Sequence, residues 1–163
     1  MRRMQRRSRD PLVRDPVAAL DPERVQVDDV ARRLYSRDAS VLRGGRAGVI
    51  CFPVTTAEVS ACVVAAVAHG RDFVARGAGT GLAGGAVPCD EPVMIVLTRM
   101  DRILEVDESR RLAWVEPGVV NLDLSRHLGG TGLHFAPDPS SEQSCTIGGN
   151  VANNSGGPHC LLY

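Results

Sequence analysis

The chain contains no lysine, so all 19 of its basic side chains are arginines, and 19 acidic residues bring the net charge to zero. A zero net charge lacks the strongly basic signature of nucleic-acid-binding domains, and we expect no nucleic-acid partner. No run of about 18 apolar residues occurs that would span a bilayer as a helix. The 163 residues, 44% hydrophobic and 23% charged, are instead typical of a globular domain with one core.

The sequence also lacks any CxxC pair, and its five cysteines are widely scattered. This spacing argues against a structural zinc site, an iron–sulfur cluster and a disulfide scaffold. We therefore expect most of the cysteines to be buried as small hydrophobic side chains. The four histidines form no tight cluster with carboxylates, and the sequence predicts no metal site.

Residues 1–14 carry six arginines against one acid, for a local charge of about +5. No apolar run of roughly seven or more residues follows them, so the segment lacks the hydrophobic region of a secretory signal. We expect a disordered arginine-rich arm on a cytoplasmic chain whose folded part is residues 15–163. Such an arm could also contact a partner or acidic lipid at the inner face of a membrane.

A βαβ unit is predicted ahead of the first glycine-rich loop. Residues 49–52 form a short apolar strand, and the T-x-x-E sequence from Thr55 to Glu58 is a capping box for a helix over residues 56–69. Gly70 is placed to end that helix, and residues 73–75 return as a strand. The predicted apolar face of the helix consists of Val59, Val63, Ala66 and Val67.

Beyond the first loop the pattern predicts strands over residues 93–97, 103–106 and 111–115. Asn121 is placed to cap a helix over residues 122–128, which Gly129 and Gly130 would end. From residue 131 onward the chain reads mostly as loop, with no terminal element to close a core. We therefore expect the sequence to be an N-terminal fragment of a longer protein.

The first loop, residues 76–86, contains five glycines. We expect its backbone to take positive φ repeatedly and to present N–H groups to a phosphate or pyrophosphate. No GK[ST] follows, so the loop is not a P-loop. Gly79, Gly81 and Gly84 match the dinucleotide fingerprint G-x-G-x-x-G, and Glu105 follows about 20 residues later. That fingerprint must lie at the start of a helix, however, and two prolines before residue 93 prevent a helix of normal length. The remaining alternative is a glycine-rich surface turn that binds no ligand.

A second loop, residues 137–160, mixes small hydroxyls, amides and glycines. These groups supply hydrogen-bond donors and close backbone approach to a planar polar ligand. Taken alone the segment could be an ordinary polar loop. Two such loops separated by a small mixed segment form a more specific pattern than either one.

The segments ARGAGTGLAGGAVP and PDPSSEQSCTIGGNVANNSGGPHCLLY resemble the FAD-binding domain of the vanillyl-alcohol oxidase and p-cresol methylhydroxylase type. Within that superfamily they are most similar to the group of the glycolate oxidase D subunit and related D-lactate dehydrogenases. The resemblance extends from LYSRDAS at residues 34–40 through RILEVD and WVEPGVVNLDLSRHL. It implies an α+β fold, here the N-terminal part of a PCMH-type domain, with a small βαβ subdomain followed by the start of a mixed-sheet subdomain. Members of that superfamily continue with the rest of the FAD domain and a cap domain, and we expect these parts to lie outside the 163 residues.

The resemblance implies that the first loop wraps the pyrophosphate of FAD, and that the second lies at the ribityl or flavin region. We expect pyrophosphate contacts from Gly77, Ala78, Gly79, Thr80, Gly81 and Leu82, with Arg76 neutralising phosphate charge. The residues expected near the ribityl chain or flavin are Pro139, Ser140, Thr146, Gly148, Gly149, Asn150 and Asn154.

Two positions depart from the family pattern. Thr80 stands where some members carry the histidine that binds flavin covalently, so we expect noncovalent FAD. Leu162 stands where related chains often have lysine. No residue is assigned as catalytic, although His134 and His159 flank the second loop and could approach the flavin.

The resemblance implies a FAD-linked 2-hydroxy-acid dehydrogenase or oxidase acting on glycolate or D-lactate by hydride transfer to the flavin. An iron–sulfur electron-transfer subunit is a further implied partner. The alternatives are a non-catalytic truncated FAD-binding module, or a flavin enzyme of the superfamily that acts on a sugar or aryl alcohol or reduces an enolpyruvyl group. We expect residues 1–163 alone to be inactive, and to be poorly folded or weak in FAD binding.

Overall fold

The computed structural model describes Val13 and residues 19–162, and the predicted arm of residues 1–14 lies outside them apart from Val13. The strands are β1 (Val25–Gln26), β2 (Val49–Cys51), β3 (Phe73–Arg76), β4 (Val93–Val96), β5 (Ile103–Asp107) and β6 (Leu112–Val115). The α-helices of the described residues are α1 (Asp29–Leu34), α2 (Thr56–Ala68), α3 (Asn121–His127) and α4 (Ile147–Asn153).

A mixed four-stranded sheet with the order β1-β2-β4-β3 organises the first half of the chain. Strands β2, β4 and β3 are parallel, and β1 pairs antiparallel with β2. The predicted βαβ unit is present as β2, α2 and β3, and β4 lies between its two strands. Residues 77–92 connect β3 to its parallel neighbour β4 without a helix, as the two prolines predict.

Side chains along each strand point alternately to the two faces of this sheet. Both faces are covered by helices. Val49, Cys51, Val93 and Ile95 pack on one face against α2. On the opposite face a second cluster packs against α1; its buried members are Ala31, Ala47, Ile50, Phe52, Met94 and Val96. All four residues of β4 are buried, as expected for a central parallel strand.

Helix α2 begins and ends where the sequence predicts. The Thr55 side chain accepts the Glu58 N–H at 3.2 Å, and Gly70 adopts φ +60°. The Gly70 and Arg71 N–H groups donate to the carbonyls of Val67 and Ala66, which is the Schellman pattern. The predicted apolar face is wrong at one position: Val67 is 66% exposed, whereas Cys62 and Ala65 are buried.

The second half of the chain builds a separate core. Strands β5 and β6 form an antiparallel hairpin with a register irregularity between Ile103 and Glu105. Its inner side packs on α3 and the start of α4 around Val119, Leu124 and Ile147. Together with the mixed sheet, this hairpin confirms the α+β class predicted from the sequence.

Strand β1 and helices α1 and α4 were not predicted. Strand β1 is short. Helix α1 is capped by Asp28, whose carboxylate accepts the Val30 and Ala31 N–H groups at 3.0 Å. Helix α4 contradicts the prediction that residues after 131 are mostly loop. Its sequence did not indicate a helix because Gly148 and Gly149 lower helix propensity.

The structure also locates the cysteines. Cys51, Cys62 and Cys145 are buried while Cys89 and Cys160 are exposed, so the prediction that most are buried is confirmed. Among the described residues, no group of three or more histidine, cysteine or acidic side chains could hold a metal ion. No helix within the same residues has the length and apolarity to cross a membrane.

Candidate functional site

A cavity of about 1140 Å³ lies between the two glycine-rich loops. It exceeds the roughly 300–1,000 Å³ of most small-molecule sites. All of the predicted site residues except Asn154 line it: Arg76, Gly77, Ala78, Gly79, Thr80, Gly81, Leu82, Pro139, Ser140, Thr146, Gly148, Gly149 and Asn150. Asn154 is exposed and ends α4 in the left-handed conformation, with φ +51°. The cavity therefore brings together both predicted loops.

The first loop uses its glycines in two different ways. Gly79 and Gly84 have φ of +76° and +79°, which disfavours any other residue. The expectation of repeated positive φ is wrong for Gly81, whose φ is not positive and whose Cβ position is open, 3.9 Å from Asn153 Oδ1. The positive φ explains why glycine occupies positions 79 and 84. At Gly81 the absence of a side chain leaves room in the cavity.

Backbone N–H groups of the first loop are available as donors. In the described part of the chain, the N–H groups of residues 78–83 donate to no other protein group. Backbone donors that face a cavity and lack protein acceptors are suited to an anion.

Arg76 lies beneath the first loop rather than in front of it. It is 8% exposed, its Nη1 donates to the Ala86 carbonyl at 3.2 Å, and its guanidinium lies 5.2 Å from the centre of the Tyr35 ring. Burial lowers the pKa of Arg76, although Tyr35 and Asp38 act in the opposite direction. The guanidinium lines the cavity while it also ties the base of the loop to α1.

Asp38, which sequence reasoning did not single out, also lines the cavity. Its Oδ1 accepts the Ser40 N–H at 2.9 Å, and its Oδ2 is buried without a hydrogen-bond partner of full geometry. Burial raises the pKa of this carboxyl, but hydrogen bonding from Ser40 and Ala86 and the charge of Arg76 outweigh burial and lower it overall. Asp38 is thus an anion at neutral pH.

The two loops meet at Gly77 and Thr146. A Cβ at Gly77 would overlap Thr146 Oγ1, so a glycine is needed for this close approach. Thr146 is 3% exposed, and its hydroxyl has no hydrogen-bond partner. An unsatisfied buried hydroxyl at a cavity wall is suited to a polar ligand.

Buried amides hold the second loop. The Asn121 Nδ2 donates to the Pro137 carbonyl at 2.9 Å and to Asn150 Oδ1 at 3.0 Å. Asn150 in turn donates to Cys145 Sγ at 3.3 Å. The prediction that Asn121 caps a helix is wrong: it is the first residue of α3, whose N-cap is Val120, and its 1% exposed side chain supports the loop instead.

The start of α4 packs closely on the segment that enters α3. The Gly148 N–H donates to the Pro117 carbonyl at 2.9 Å, and a Cβ at Gly148 would lie 2.7 Å from Pro117 Cβ. Glu116, beside Pro117, accepts the Arg102 N–H at 2.9 Å and its guanidinium at 2.8 Å. The hydrogen bonds from Arg102 lower the pKa of Glu116.

The two histidines that flank the second loop lie elsewhere. His159 Nδ1 is 3.0 Å from Asp138 Oδ2 in an exposed pair, and His134 is exposed. Neither belongs to the described residues that line the cavity. The described residues that line the cavity therefore include no histidine.

The cavity has the features that FAD binding requires. Backbone donors without protein acceptors lie along the first loop, Gly77 and Gly79 have no room for side chains, and the unpartnered Thr146 hydroxyl lies beside Gly77, where the loops meet. The residues present fit a long ligand with an anionic middle and a polar end.

Comparison with known proteins agrees with this geometry. The model of the FAD-binding domain family matches residues 47–163, and the chain belongs to that family. It is 45% identical over 117 residues to glycolate oxidase subunit GlcD of Escherichia coli K12, covering 71% of this chain and 23% of that protein. It is 36% identical over 143 residues to a D-lactate dehydrogenase of Anaerostipes hadrus, covering 87% of this chain and 30% of the relative. The resemblance to a FAD-binding domain that was predicted from the sequence is thus confirmed.

Solved structures share the fold. An alkyldihydroxyacetonephosphate synthase aligns with a TM-score of 0.82 and 24% identity over 93% of this chain and 30% of its own. A substrate-bound p-cresol methylhydroxylase aligns with a TM-score of 0.70 and 21% identity over 88% of this chain and 28% of its own. The predicted PCMH-type fold is confirmed. The chain spans about a quarter to a third of the length of the curated relatives that it matches.

Proposed function

We propose that this chain supplies the N-terminal, FAD-binding part of an enzyme that oxidises a small 2-hydroxy acid, glycolate or D-lactate. The proposal rests on the cavity between the two loops, in a sequence 45% identical over 117 residues to a glycolate oxidase subunit. The D-lactate dehydrogenase relative supports the same substrate class.

In this proposal the first loop binds the pyrophosphate of FAD. The N–H groups of residues 78–82 have no protein acceptor in the described chain, and the Thr80 hydroxyl adds a further donor. Residues 78–82 all line the cavity. Arg76 contributes a positive charge from beneath the loop.

The second loop is proposed to border the ribityl chain and the flavin. The Thr146 hydroxyl is the strongest candidate because it is buried without a partner. Asn150 already bonds to Asn121 and Cys145, so its part is to shape the wall. Asn154 lies outside the cavity lining, and its proposed contact requires a ligand that extends past the end of α4.

A flavin supplies the hydride acceptor for oxidation of a hydroxyl-bearing carbon. The described residues bind and orient that group and exclude water from one side of it. No residue of this chain is assigned the proton transfer or the recognition of the substrate carboxylate. We propose noncovalent FAD because Thr80 cannot form a histidyl bond, a cytoplasmic location that includes the inner membrane face, and an iron–sulfur subunit as electron-transfer partner.

Titration of the 163-residue chain with FAD, followed by flavin fluorescence and by thermal unfolding, tests the binding role. We expect weak but saturable binding and a slightly raised unfolding temperature, since a ligand that binds only the folded state stabilises it. Absence of both effects at saturating FAD would defeat the proposal for this chain.

The substrate class is tested in the longest product of the encoding reading frame, with dye reduction as the readout. Glycolate and D-lactate should reduce the dye, and L-lactate serves as the matched control. Reduction only by an aryl or sugar alcohol would reassign the substrate, and FAD binding without any turnover would indicate a non-catalytic module. For the 163-residue chain alone we expect no turnover.

A further inference from the structure

The segment that precedes the family match holds the first loop at both ends. The Ala39 N–H donates to the Gly79 carbonyl at 2.9 Å, at the first part of the loop. At the other end, Arg76 donates to the Ala86 carbonyl and stacks on Tyr35. These contacts close the loop between residues 79 and 86 against the 35–40 segment.

Asp38 lies at the centre of this arrangement. Its carboxylate bonds to the Ser40 N–H, which fixes the turn that carries Ala39. The Ala86 N–H and the Arg76 charge both favour its ionised form, although Asp38 and Arg76 make no direct ion pair. The carboxylate therefore fixes the turn whose Ala39 N–H holds the loop at the Gly79 carbonyl.

We propose that Asp38 is a positioning residue that holds the first glycine-rich loop in the shape that accepts the diphosphate of a dinucleotide cofactor. It acts through the turn at Ser40 and the Ala39–Gly79 hydrogen bond rather than on the ligand. This proposal rests on the proposed function of the cavity, which it extends to a residue outside both loops.

The charge of Asp38 makes the proposal testable by sign. An anionic side chain at the wall of an anion site opposes a diphosphate, so its removal would strengthen binding if charge alone mattered. A positioning role predicts the reverse, because the loop donors lose their alignment when the carboxylate is removed. Direct contact of Oδ2 with the cofactor would also weaken binding on removal, but it would leave the loop unchanged without ligand.

The experiment compares Asp38→Asn, which removes the charge and keeps the shape, with Asp38→Glu, which keeps the charge and moves the oxygens. Glu108→Gln, on the exposed turn of the hairpin, is the control for net charge. Amide hydrogen exchange of Ala39 and Val87, whose N–H groups donate to the Gly79 and Gly84 carbonyls, is measured without FAD, and FAD affinity by fluorescence titration. We expect both Asp38 variants to exchange these amides about tenfold faster and to bind FAD about tenfold more weakly, with Glu108→Gln unchanged.

Each other outcome overturns the proposal in a recognisable way. Tighter FAD binding by Asp38→Asn with unaltered Asp38→Glu would show a purely electrostatic effect. Weaker binding with unchanged exchange would show direct ligand contact. If the unmodified chain fails to bind FAD, the proposed function fails, whereas the exchange measurement still decides whether Asp38 holds the loop.

Discussion

The two loops that enclose the cavity are held in different ways. The first depends on glycine conformations at Gly79 and Gly84 and on charged and aromatic groups beneath it. The second depends on backbone hydrogen bonds and on the buried amides of Asn121 and Asn150. The first is also rich in unpaired N–H groups, whereas the second presents side-chain hydroxyls.

This difference matches the chemistry proposed for each wall. Positive φ and absent side chains expose backbone donors to an anion, and such a loop needs support from elsewhere in the chain. A wall for a neutral, planar ligand needs fixed side chains, which buried amides and a short helix supply. Variants in each loop can therefore show whether disruption of one loop leaves the structure of the other unchanged.

The largest effect is expected for Gly79→Val. A β-branched residue opposes φ +76°, and its Cβ would overlap the Arg76 guanidinium. The left-handed conformation alone costs about 1–2 kcal/mol in an L-residue. We expect FAD binding to be lost, with titration as the measurement.

Gly81 provides the matched control for that result. Its Cβ position is open and its φ is not positive, so Gly81→Val should leave the unfolding temperature of the ligand-free protein nearly unchanged. FAD binding should still be lost, because the side chain enters the cavity. Unchanged FAD affinity in both variants would contradict the assignment of the first loop.

Asn121→Ala should have the next largest effect. It leaves Asn150 Oδ1 and the Pro137 carbonyl without their donor, and an unsatisfied buried group costs about 1–3 kcal/mol. Urea unfolding should show this loss, and hydrogen exchange should increase in the second loop but not in the first. Faster exchange in both loops would mean that the walls are coupled.

Acid should affect the contributions of Asp38 and Asn121 to stability differently. The folded-state pKa of Asp38 is lowered, so its contribution to stability is present above the ordinary carboxyl pKa of about 4 and is lost as pH falls through the lowered value. The difference in unfolding free energy between the unmodified chain and Asp38→Asn should therefore shrink towards zero in acid. The corresponding difference for Asn121→Ala should stay constant, since amides do not titrate. A constant difference for Asp38→Asn would contradict the charged role of this carboxylate.

The smallest effect is expected for Thr80→Ala. It removes one hydroxyl, worth about 0.5–1.5 kcal/mol of FAD affinity, measured by titration, if that hydrogen bond forms.

FAD should be released into the supernatant when the unmodified protein is precipitated with acid. Flavin that stays with the precipitate would contradict noncovalent binding.

Much of this arrangement could be predicted from local sequence signals. The capping box at Thr55, the terminator Gly70 and the two glycine-rich loops have signatures within a few residues. Helix α4 could not be predicted because its two glycines mask its propensity. The role of Asn121 depends on Asn150, which is 29 residues away, and the role of Asp38 depends on the hydrogen bond between Ala39 and Gly79. Such long-range partners have no local pattern.

The strand order β1-β2-β4-β3 has a consequence for how the protein folds. Strand β3 has no neighbour in the sheet until β4 arrives, so an emerging chain that ends before residue 93 can form α2 but cannot complete the sheet. The first glycine-rich loop lies in the connection between these strands, and its ends are brought together only when β4 inserts beside β2. Loop closure and strand insertion are thus one event, and we expect pulsed hydrogen exchange during refolding to protect β2, β3 and β4 in the same kinetic phase.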